Sequence, residues 1–432
     1  MNKYMMYIKD FWTIFQSKLF QHRAYARVYW GKKNWYMLSL LHYVLRGEKK
    51  GYIPCPFFDP DHKQFNENNN GCTNKFAEFI RGGCNGDPSD IFDAAYVQSN
   101  LHTRGISHNT KMATQSIWLR YVTIPYQDRP DPAEKISLSF VTGTEFGWPQ
   151  PDSSVEFSRR IMEYMQHKKQ SLCANFAKNT TEYHDNIENY HNSRVTTFSQ
   201  MTQVRKHDYL LYIQTNGNHN REMHHVNRNY DILLAFYEGC CDGADSEYCV
   251  EHKGTKITAI SAILKANGDL IYRYKYVLFL DDDVFLSHFD INNLFEIADK
   301  NSLKLCQASL SKDSHTGLKV LYHVDESPYA FRFVSGVEIM MPLFSTDALK
   351  CVEPLFANSI SGWGLDIRVG ITIRDLYGET VAVVDSVQAV HKGVPNLYHG
   401  AYYKLLYSAG IMPKMELMYH VGSERPTIYE IH

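Results

Sequence analysis

Short apolar runs alternate with one amphipathic stretch between residues 208 and 285. The apolar runs predict β-strands at 209–213, 230–237 and 275–280. A helix is predicted over 255–266, because three apolar residues fall near one face: Ile257, Ile260 and Leu264. Strands and a helix in this order indicate right-handed crossovers and a largely parallel sheet. Ligands of such sheets bind beyond the carboxyl ends of the strands.

The amino-terminal end carries a second periodic pattern. Its apolar residues recur at offsets that place them on one helical face: Ile8, Phe11, Trp12, Phe15 and Leu19. Such a helix either lies in a membrane interface, with its lysines toward anionic headgroups, or docks on the core of the protein itself. The sequence leaves both interpretations open.

The middle of the chain is less regular. Residues 62–100 are rich in Asn, Gly and Asp and predict surface loops. Further on, 136–141 predicts a strand and 155–167 a helix. The polar stretch 178–199 predicts a linker or an exposed hairpin.

A chain of 432 residues is long enough for two or three domains. We expect a basic helical segment at 1–70, a mixed α/β region of unknown role at 71–200, and an α/β domain at 201–432. The composition is globular, with 44% hydrophobic residues, and the formal net charge of −2 predicts no nucleic-acid partner. The first 50 residues carry ten Lys or Arg against two acids, which predicts contact with an anionic surface.

The cysteines and the longest apolar stretches bear on the location of the protein. Nine scattered cysteines without a CxxC pair predict reduced thiols in a cytosolic protein. The longest apolar stretch, 35–45, is too short to span a bilayer, and the first 20 residues lack the pattern of a signal peptide. We therefore expect a cytoplasmic protein, peripheral at most on the inner face of the membrane.

Three consecutive carboxylates, Asp281, Asp282 and Asp283, follow the third predicted strand directly. Packed like charges repel one another, so the triplet is either a solvated turn or a site where a cation neutralises it. Its position between apolar segments favours the cation, and hard oxygen ligands suit Mn²⁺ or Mg²⁺. Alternation along a strand sends Asp281 and Asp283 to one side and Asp282 to the other.

The apolar strand that ends in Asp-x-Asp resembles the signature of GT-A glycosyltransferases, enzymes with a Rossmann-like, mostly parallel sheet. Residues 208–400 resemble more closely an uncharacterised glycosyltransferase-like family of plants and bacteria. The elements that carry this resemblance are FLDDD at 279–283, SGVEIMMP at 335–342, GWGLD at 362–366, and VVD at 383–385 leading to VHKG at 390–393. Residues 40–61 also resemble a short module found beside bacterial surface-polysaccharide glycosyltransferases.

The resemblance implies roles for several of these residues. Asp283 and His391 would bind the metal, and Asp281 would approach the nucleoside ribose. A lone His is as often structural, so that alternative stays open for His391. The remaining predicted contacts with donor or acceptor are Asp282, Thr215, Gly336, Trp363 and Gly364.

The GWGLD element resembles a segment of inverting galactosyl- and N-acetylgalactosaminyltransferases. Glycines let the backbone approach a ligand closely, and Trp363 offers a flat face for a sugar ring. Asp366 stands at the start of a helix predicted over 365–377, where it is either the catalytic base or an ordinary acidic residue near a helix amino terminus. Glu338, inside an apolar run, is the second candidate for the base.

The sequence thus predicts a metal-dependent glycosyltransferase, inverting by preference, that uses a nucleotide-sugar donor and a glycan or lipid-linked glycan acceptor at the cell surface. Two alternatives stay open. One is a non-catalytic glycan-binding or scaffold protein on a degenerate GT-A fold. The other is a metal-dependent phosphotransferase or nucleotidyltransferase with the same acidic strand end.

Overall fold

The computed structural model describes residues 3–431, except 30–35, 66–73, 104–114, 147, 149, 171–175, 202–203, 317, 326–327, 394–399 and 422–427. The chain forms two compact units, residues 1–183 and 184–432. The three-part division expected from the sequence stays a prediction, because compactness does not assign roles within residues 1–183. Across the described ranges, no helix combines the length and the apolar character needed to cross a membrane.

The elements described in the first unit are helical. The α-helices are α1 (Lys3–Ser17), α2 (His22–Tyr29), α3 (Tyr36–His42), α4 (Lys75–Arg81), α5 (Ala94–Thr103), α6 (Ile117–Thr123), α7 (Leu138–Thr142) and α8 (Ser154–Gln170), and α9 (Thr180–Ser193) crosses into the second unit. A π-helical turn, Tyr43–Gly47, and a 3₁₀ turn, Glu48–Lys50, continue α3. The core of this unit is aromatic, with Trp118, Tyr121 and Tyr164 almost fully buried.

The middle of the chain departs from three sequence predictions. The surface loops predicted over 62–100 are interrupted by α4 and α5, where Phe76 and Val97 are buried. The helix predicted over 155–167 is confirmed as α8. The strand predicted over 136–141 is wrong: α7 forms there because the Ser137 side chain accepts a hydrogen bond from the Phe140 amide, and Gly143 ends the helix at a φ of 85°. The linker predicted over 178–199 is also wrong, since α9 begins where Asn179 caps the Glu182 amide at 2.8 Å.

The second unit is an α/β fold. Its strands are β1 (Thr196–Gln200), β2 (Tyr209–Thr215), β3 (Tyr230–Phe236), β4 (Tyr248–His252), β5 (Tyr276–Asp281), β6 (Val284–Phe285), β7 (Leu305–Leu310), β8 (Phe331–Phe333), β9 (Leu343–Ser345) and β10 (Val381–His391). Its helices after α9 are α10 (Lys256–Ile271), α11 (His288–Lys300), α12 (Thr346–Ala357), α13 (Leu365–Tyr377), α14 (Ala401–Ser408) and α15 (Pro413–Val421). The three strands and two helices predicted from residue 208 onward are confirmed.

These strands form one mixed sheet in the order β1-β4-β3-β2-β5-β9-β7-β10-β6, with β8 also paired to β10. The pairs β3–β4, β2–β3, β2–β5 and β7–β10 are parallel, while β9 runs antiparallel to both β5 and β7. The predicted α/β class with a mostly parallel sheet is therefore confirmed. Side chains of β2, β3 and β5 are buried almost throughout, as strands covered on both faces require.

The strand register decides which residues meet at the carboxyl edge of the sheet. Gln214 pairs with Asp281 and Thr215 with Phe236, so β2, β3 and β5 end side by side. The end of β10 pairs antiparallel with β6, which sets His391 opposite Val284. The acidic triplet at 281–283 therefore lies between the β2 and β3 ends on one side and the end of β10 on the other.

Candidate active site

The first carboxylate of the triplet is held by a buried lysine. Asp281 Oδ1 lies 2.8 Å from Lys256 Nζ, and the lysine side chain is only 10% exposed. Lys256 Nζ also donates to the backbone carbonyls of Phe279, Ile339 and Met340 at 2.9–3.1 Å. Burial raises the pKa of Asp281 and lowers that of Lys256, and each charge opposes the shift of the other. The ion pair fixes the end of β5 to the loop before β9.

Asp282 lies in the turn after β5, and its partners differ from those of Asp281. Its Oδ2 accepts hydrogen bonds from the Tyr237 hydroxyl at 3.2 Å and the Asn216 amide at 3.4 Å. Burial raises the pKa of Asp282 to about 6. Asp282 thus ties the triplet to the turns that follow β2 and β3.

Asp283 and His391 form the pair that the sequence assigned to a metal. Asp283 Oδ2 lies 3.4 Å from His391 Nε2. Because His391 Nδ1 is 2.8 Å from the carbonyl oxygen of His315, Nδ1 is the donor and Nε2 is left facing the carboxylate. When Nε2 also carries a proton it donates to the Asp283 carboxylate, and this interaction lowers the pKa of Asp283 and raises that of His391.

A glycine keeps open the space beside this pair. A Cβ at Gly393 would overlap Asp283 Oδ2 and lie 2.9 Å from His391 Nε2. Within the described residues, no group of three or more His, Cys, Asp or Glu side chains is arranged to hold a metal ion. Among the described residues, Asp283 and His391 are thus two candidate ligands, and a cation bound by them would need further ligands from water or phosphate.

Glu338 interacts electrostatically with Asp281, His391 and Asp366. Burial raises the pKa of Glu338, the charge of His391 lowers it, and the charge of Asp281 adds to the rise. Glu338 Oε2 accepts a hydrogen bond from the Thr316 hydroxyl at 2.9 Å. The structure thus brings the two candidate bases and the metal pair into one electrostatic cluster.

Asp366 stands in the first turn of α13. Its Oδ1 accepts a hydrogen bond from the Ile367 amide at 2.8 Å, which fits the alternative of an acidic residue at a helix amino terminus. Burial nevertheless raises the pKa of Asp366 to about 7, and the nearby Glu338 charge adds to the rise. Desolvation therefore outweighs the helix dipole, and near neutral pH this carboxyl can take up a proton and release it.

Gly364 and Thr215 have clear structural roles, whereas the surroundings of Gly336 leave ordinary van der Waals room for a Cβ. Gly364 has a φ of 80°, and a Cβ there would lie 2.8 Å from the Leu417 backbone, so Gly364 lets α13 and α15 approach closely. A Cβ at Gly336 would lie 3.5 Å from the Asp366 carbonyl oxygen. The fully buried Thr215 hydroxyl accepts from the Gly217 amide at 2.9 Å and shapes the turn after β2. The ligand contacts predicted for these three residues stay predictions.

Trp363 is half-buried and stands beside α14. Its ring makes an edge contact with Tyr403, with 6.4 Å between ring centroids. The Trp363 amide donates to the Ser361 hydroxyl at 3.2 Å. The predicted stacking of a sugar on Trp363 stays a prediction.

A buried carboxylate that the sequence reasoning missed organises the loop before Trp363. Glu416 on α15 is fully buried and accepts hydrogen bonds from the amides of Ile360, Ser361 and Gly362 at 2.8–3.1 Å. It also accepts one from the Ser359 hydroxyl. Burial raises the pKa of Glu416, and these donors oppose the rise. An isolated Glu within an apolar helix, Met415 to Met418, was the signal available in the sequence.

The backbone carbonyl oxygens of the loop at 359–362 also accept hydrogen bonds. Thr255 donates its hydroxyl to the Ile360 oxygen at 2.6 Å, and Tyr402 donates to the Ser361 oxygen at 2.9 Å. His191 Nε2 lies 2.9 Å from the Ser359 oxygen. The loop at 359–362, which leads into Trp363 and Asp366, is thus fixed on both its donor and its acceptor sides.

Replacing Glu416 with Ala should lower the free energy of unfolding by about 3 kcal/mol or more. The change leaves several buried amides without an acceptor, and each such group costs about 1–3 kcal/mol. Glu416→Gln is the matched control. Its side-chain amide oxygen still accepts hydrogen bonds from the loop amides, so the decrease in the free energy of unfolding should be smaller. Denaturant titration of both variants measures the difference. An Ala variant as stable as the wild type would contradict this role for Glu416.

Lys256 also escaped the sequence reasoning. A cation at the first position of a helix opposes the helix dipole, so Lys256 at the start of α10 needed a compensating partner. A lysine at this unfavourable helix position was therefore a signal available in the sequence, and Asp281 is its partner.

The expectation of reduced thiols is wrong at two positions. Cys241 and Cys249 form a disulfide, with 5.9 Å between their Cα atoms. The pairing of Leu234 with Cys249 places β4 beside β3, so the turn after β3 returns Cys241 to Cys249. Disulfides persist in oxidising compartments, so the cysteines no longer support a cytosolic location, which stays a prediction.

Comparison with known proteins gives a partial family match. A family model described as a protein of unknown function (DUF707) matches residues 323–411, about a fifth of the chain. That range contains Glu338, Asp366 and His391 but not the acidic triplet. No curated protein matches the chain.

Solved structures give weak matches. S. aureus TarS 1–349 shares 9% identity, with 43% of this chain and 60% of that chain covered and a TM-score of 0.29. The same protein in complex with UDP-GlcNAc shares 9% identity, with 44% and 60% covered and a TM-score of 0.27. A mycobacterial protein shares 13% identity, with 52% and 78% covered and a TM-score of 0.29. These scores are too low to assign the fold, which is defined by the order and direction of its own strands.

Proposed function

We propose that the chain is a metal-dependent glycosyltransferase that moves a sugar from a nucleotide-sugar donor to a hydroxyl of a cell-surface glycan, with inversion at the anomeric carbon. One observation carries the proposal: at the carboxyl edge of a mostly parallel sheet, an Asp-x-Asp strand end meets a histidine, and a carboxyl of raised pKa lies in the same cluster. This is the arrangement that the resemblance to GT-A enzymes implies.

The residues present fit a divalent cation. Asp283 Oδ2 and His391 Nε2 face the same small space, which the missing Cβ of Gly393 leaves open. Carboxylate and imidazole suit Mn²⁺ or Mg²⁺, and such ions are commonly bound by few protein ligands plus nucleotide phosphates. When bound, the cation would neutralise charge on the donor diphosphate. The support is the donor set and the open space beside it.

The remaining steps belong to the residues of the chain. Asp281 is held at the strand end by Lys256. Its carboxylate would accept a hydrogen bond from the ribose of the nucleotide-sugar donor. Asp366 would take the proton of the acceptor hydroxyl on a carboxylate oxygen as that hydroxyl attacks the anomeric carbon, while the bond from that carbon to the donor phosphate oxygen breaks and the nucleotide leaves. We favour Asp366 over Glu338 because Glu338 already accepts a hydrogen bond from Thr316, and because a pKa of about 7 suits a base near neutral pH. Trp363 would pack against the acceptor sugar.

The acceptor is proposed to be a glycan, free or lipid-linked, on the cytoplasmic side of the membrane. No described residue identifies it. The resemblance of residues 40–61 to a module beside polysaccharide glycosyltransferases supports this part of the proposal.

The test is a turnover screen of purified protein with Mn²⁺ against the common UDP-, GDP-, CMP- and TDP-sugars. We expect free sugar and nucleoside diphosphate, or nucleoside monophosphate from a CMP-sugar, from one donor class, because water can replace a missing acceptor. The variant carrying both Asp283→Ala and His391→Ala is the blank. Cleavage within the diphosphate would instead identify a phosphotransferase or nucleotidyltransferase. No turnover of any donor, with binding retained, would leave a non-catalytic binding protein.

A further inference from the structure

The first unit segregates its exposed apolar side chains. In the described part of residues 1–183, the large apolar side chains that are 41–76% exposed all lie on α1 or on α3 and its π-helical continuation. The members on α1 are Tyr4, Met5, Ile8 and Trp12. The members on α3 and the π-helical turn are Met37, Leu38, Leu41 and Leu45. Scattered exposed apolar residues need no explanation, but a confined set indicates a surface with a partner.

Both sets repeat one spacing, i, i+1, i+4 and i+8, which is the spacing of a single helical face. The predicted amphipathic face is therefore only partly correct. On α1, Ile14 is fully buried and Phe11 and Phe15 are half-buried, so the helix docks on its own unit. The face that it leaves exposed is rotated toward Tyr4 and Met5. The docking interpretation is therefore confirmed for the buried face of α1, and the membrane interpretation stays a prediction for its exposed face.

The two helices are direct neighbours. Phe15 of α1 and Tyr36 of α3 are in edge contact, with 5.5 Å between ring centroids. Lys49, in the 3₁₀ turn after α3, donates to the Tyr7 hydroxyl of α1 at 3.1 Å. The exposed sets therefore lie on adjoining helices of one unit, and we call them together the α1–α3 surface.

The exposed charges on the segments that carry the α1–α3 surface have one sign. Among the described residues of α1 to α3 and the two following turns, every exposed charged side chain is basic, and this set includes Lys9, Lys18, Arg46 and Lys49. The two acids of these segments are withdrawn from the surface. Asp10 is buried against Arg81 at 2.8 Å, and Glu48 accepts from the Lys75 amide at 2.9 Å.

We propose that the α1–α3 surface docks the protein on a bilayer that contains anionic lipid. Exposed Trp, Leu, Met and Ile side chains enter the boundary between headgroups and acyl chains, and the lysines and arginines remain at headgroup level. The one-signed charge argues for anionic lipid over a neutral surface. Each Lys or Arg near such a surface strengthens partition by about fivefold. This inference does not depend on sugar transfer.

The test is co-sedimentation of the full chain with vesicles, without sugar nucleotide. We expect binding to phosphatidylcholine vesicles that contain about a third phosphatidylglycerol, little binding to pure phosphatidylcholine, and release as salt rises from about 0.05 to about 0.5 M. The double variant Leu38→Glu, Leu41→Glu should lower partition by about tenfold or more, because it removes two exposed leucines that would enter the bilayer and adds charge repulsion from the anionic headgroups. Both positions are exposed, so thermal unfolding should be unchanged.

The matched control is Phe289→Glu with Leu376→Glu, which adds the same charge at exposed apolar positions of the second unit. It should bind vesicles like the wild type. Equal loss in both double variants, or full binding by Leu38→Glu, Leu41→Glu, would overturn the proposal. A dimer in solution that only the Leu38 and Leu41 changes dissociate would assign the surface to a second copy of the chain instead. A negative result in the sugar-nucleotide turnover screen would not change the interpretation of vesicle binding.

Discussion

Replacing Asp366 with Asn should lower sugar transfer by about 10²–10⁴-fold, the usual contribution of a general base. Asn keeps the size of the side chain, and its oxygen can still accept from the Ile367 amide, but it cannot take a proton at neutral pH. Donor affinity should barely change, because Asp366 makes no hydrogen bond to the 281–283 triplet. Initial rates and donor dissociation constants of both proteins, measured with Mn²⁺ and the donor found by turnover, give the comparison.

The pH profile supplies a second readout of the same residue. The pKa of Asp366 is raised to about 7, so the ionised, active form of the base accumulates as pH rises through that value. The rate should therefore rise across neutrality and level off above it in the wild type. In the Asp366→Asn protein this limb should be lost, while the residual rate stays low on both sides.

Glu338→Gln is the control for the rival base. It should preserve most of the rate, since Glu338 is engaged by the Thr316 hydroxyl. A fully active Asp366→Asn protein beside an inactive Glu338→Gln protein would show that the base has been misassigned. If both variants are active, a mechanism with a single carboxylate base is wrong and inversion is in doubt.

Changing Asp283 to Ala should reduce donor turnover by about 10²-fold or more. The change removes one of the two proposed protein ligands of the metal ion, and the leaving diphosphate then loses the stabilisation that the metal would provide. Chelator should do the same to the wild type, and Mn²⁺ or Mg²⁺ should restore it. The readouts are turnover, and Mn²⁺ binding by electron paramagnetic resonance with and without nucleotide diphosphate.

A matched control for the lost carboxylate is Asp325→Ala. Asp325 is exposed and forms its ion pair with Lys312, not with Asp283 or His391, so its loss should leave both turnover and Mn²⁺ binding unchanged. Full activity of the Asp283→Ala protein, or of a metal-stripped wild type, would remove the metal from the proposal. Loss of activity with Mn²⁺ binding intact would assign Asp283 to the donor and leave the metal to other ligands.

Local patterns in the sequence were sufficient for much of the second unit. The apolar runs that became β2, β3 and β5 are buried on both faces, and such burial leaves a continuous apolar signature. The helix over 365–377 matches α13 because Gly364 and Gly378 mark its two ends. The acidic triplet was also recognisable from the local sequence. Carboxylates directly after a buried strand are unfavourable unless a cation or another positive charge neutralises them.

Where local chemistry overrode periodicity, the sequence predictions were wrong. A strand was expected at 136–141, yet one capping serine and one left-handed glycine make that segment α7. Caps act through single hydrogen bonds, so a periodicity count does not register them. The segment at 178–199 is polar in composition and still folds as α9 and β1, because a few buried residues such as Tyr183 and Ile187 suffice to dock a helix.

What only the tertiary structure decided is which distant residues meet. His391 reaches Asp283 because the end of β10 pairs with β6, Lys256 reaches Asp281 across the start of α10, and Glu416 reaches the loop at 359–362 from α15. The same holds for the Cys241–Cys249 disulfide and for the contact between α1 and α3. Periodicity along a chain reports which face of an element is buried, but it contains no information on the partner that buries it. The sequence alone determined the elements and the acidic strand end, and the packing of the sheet determined the site.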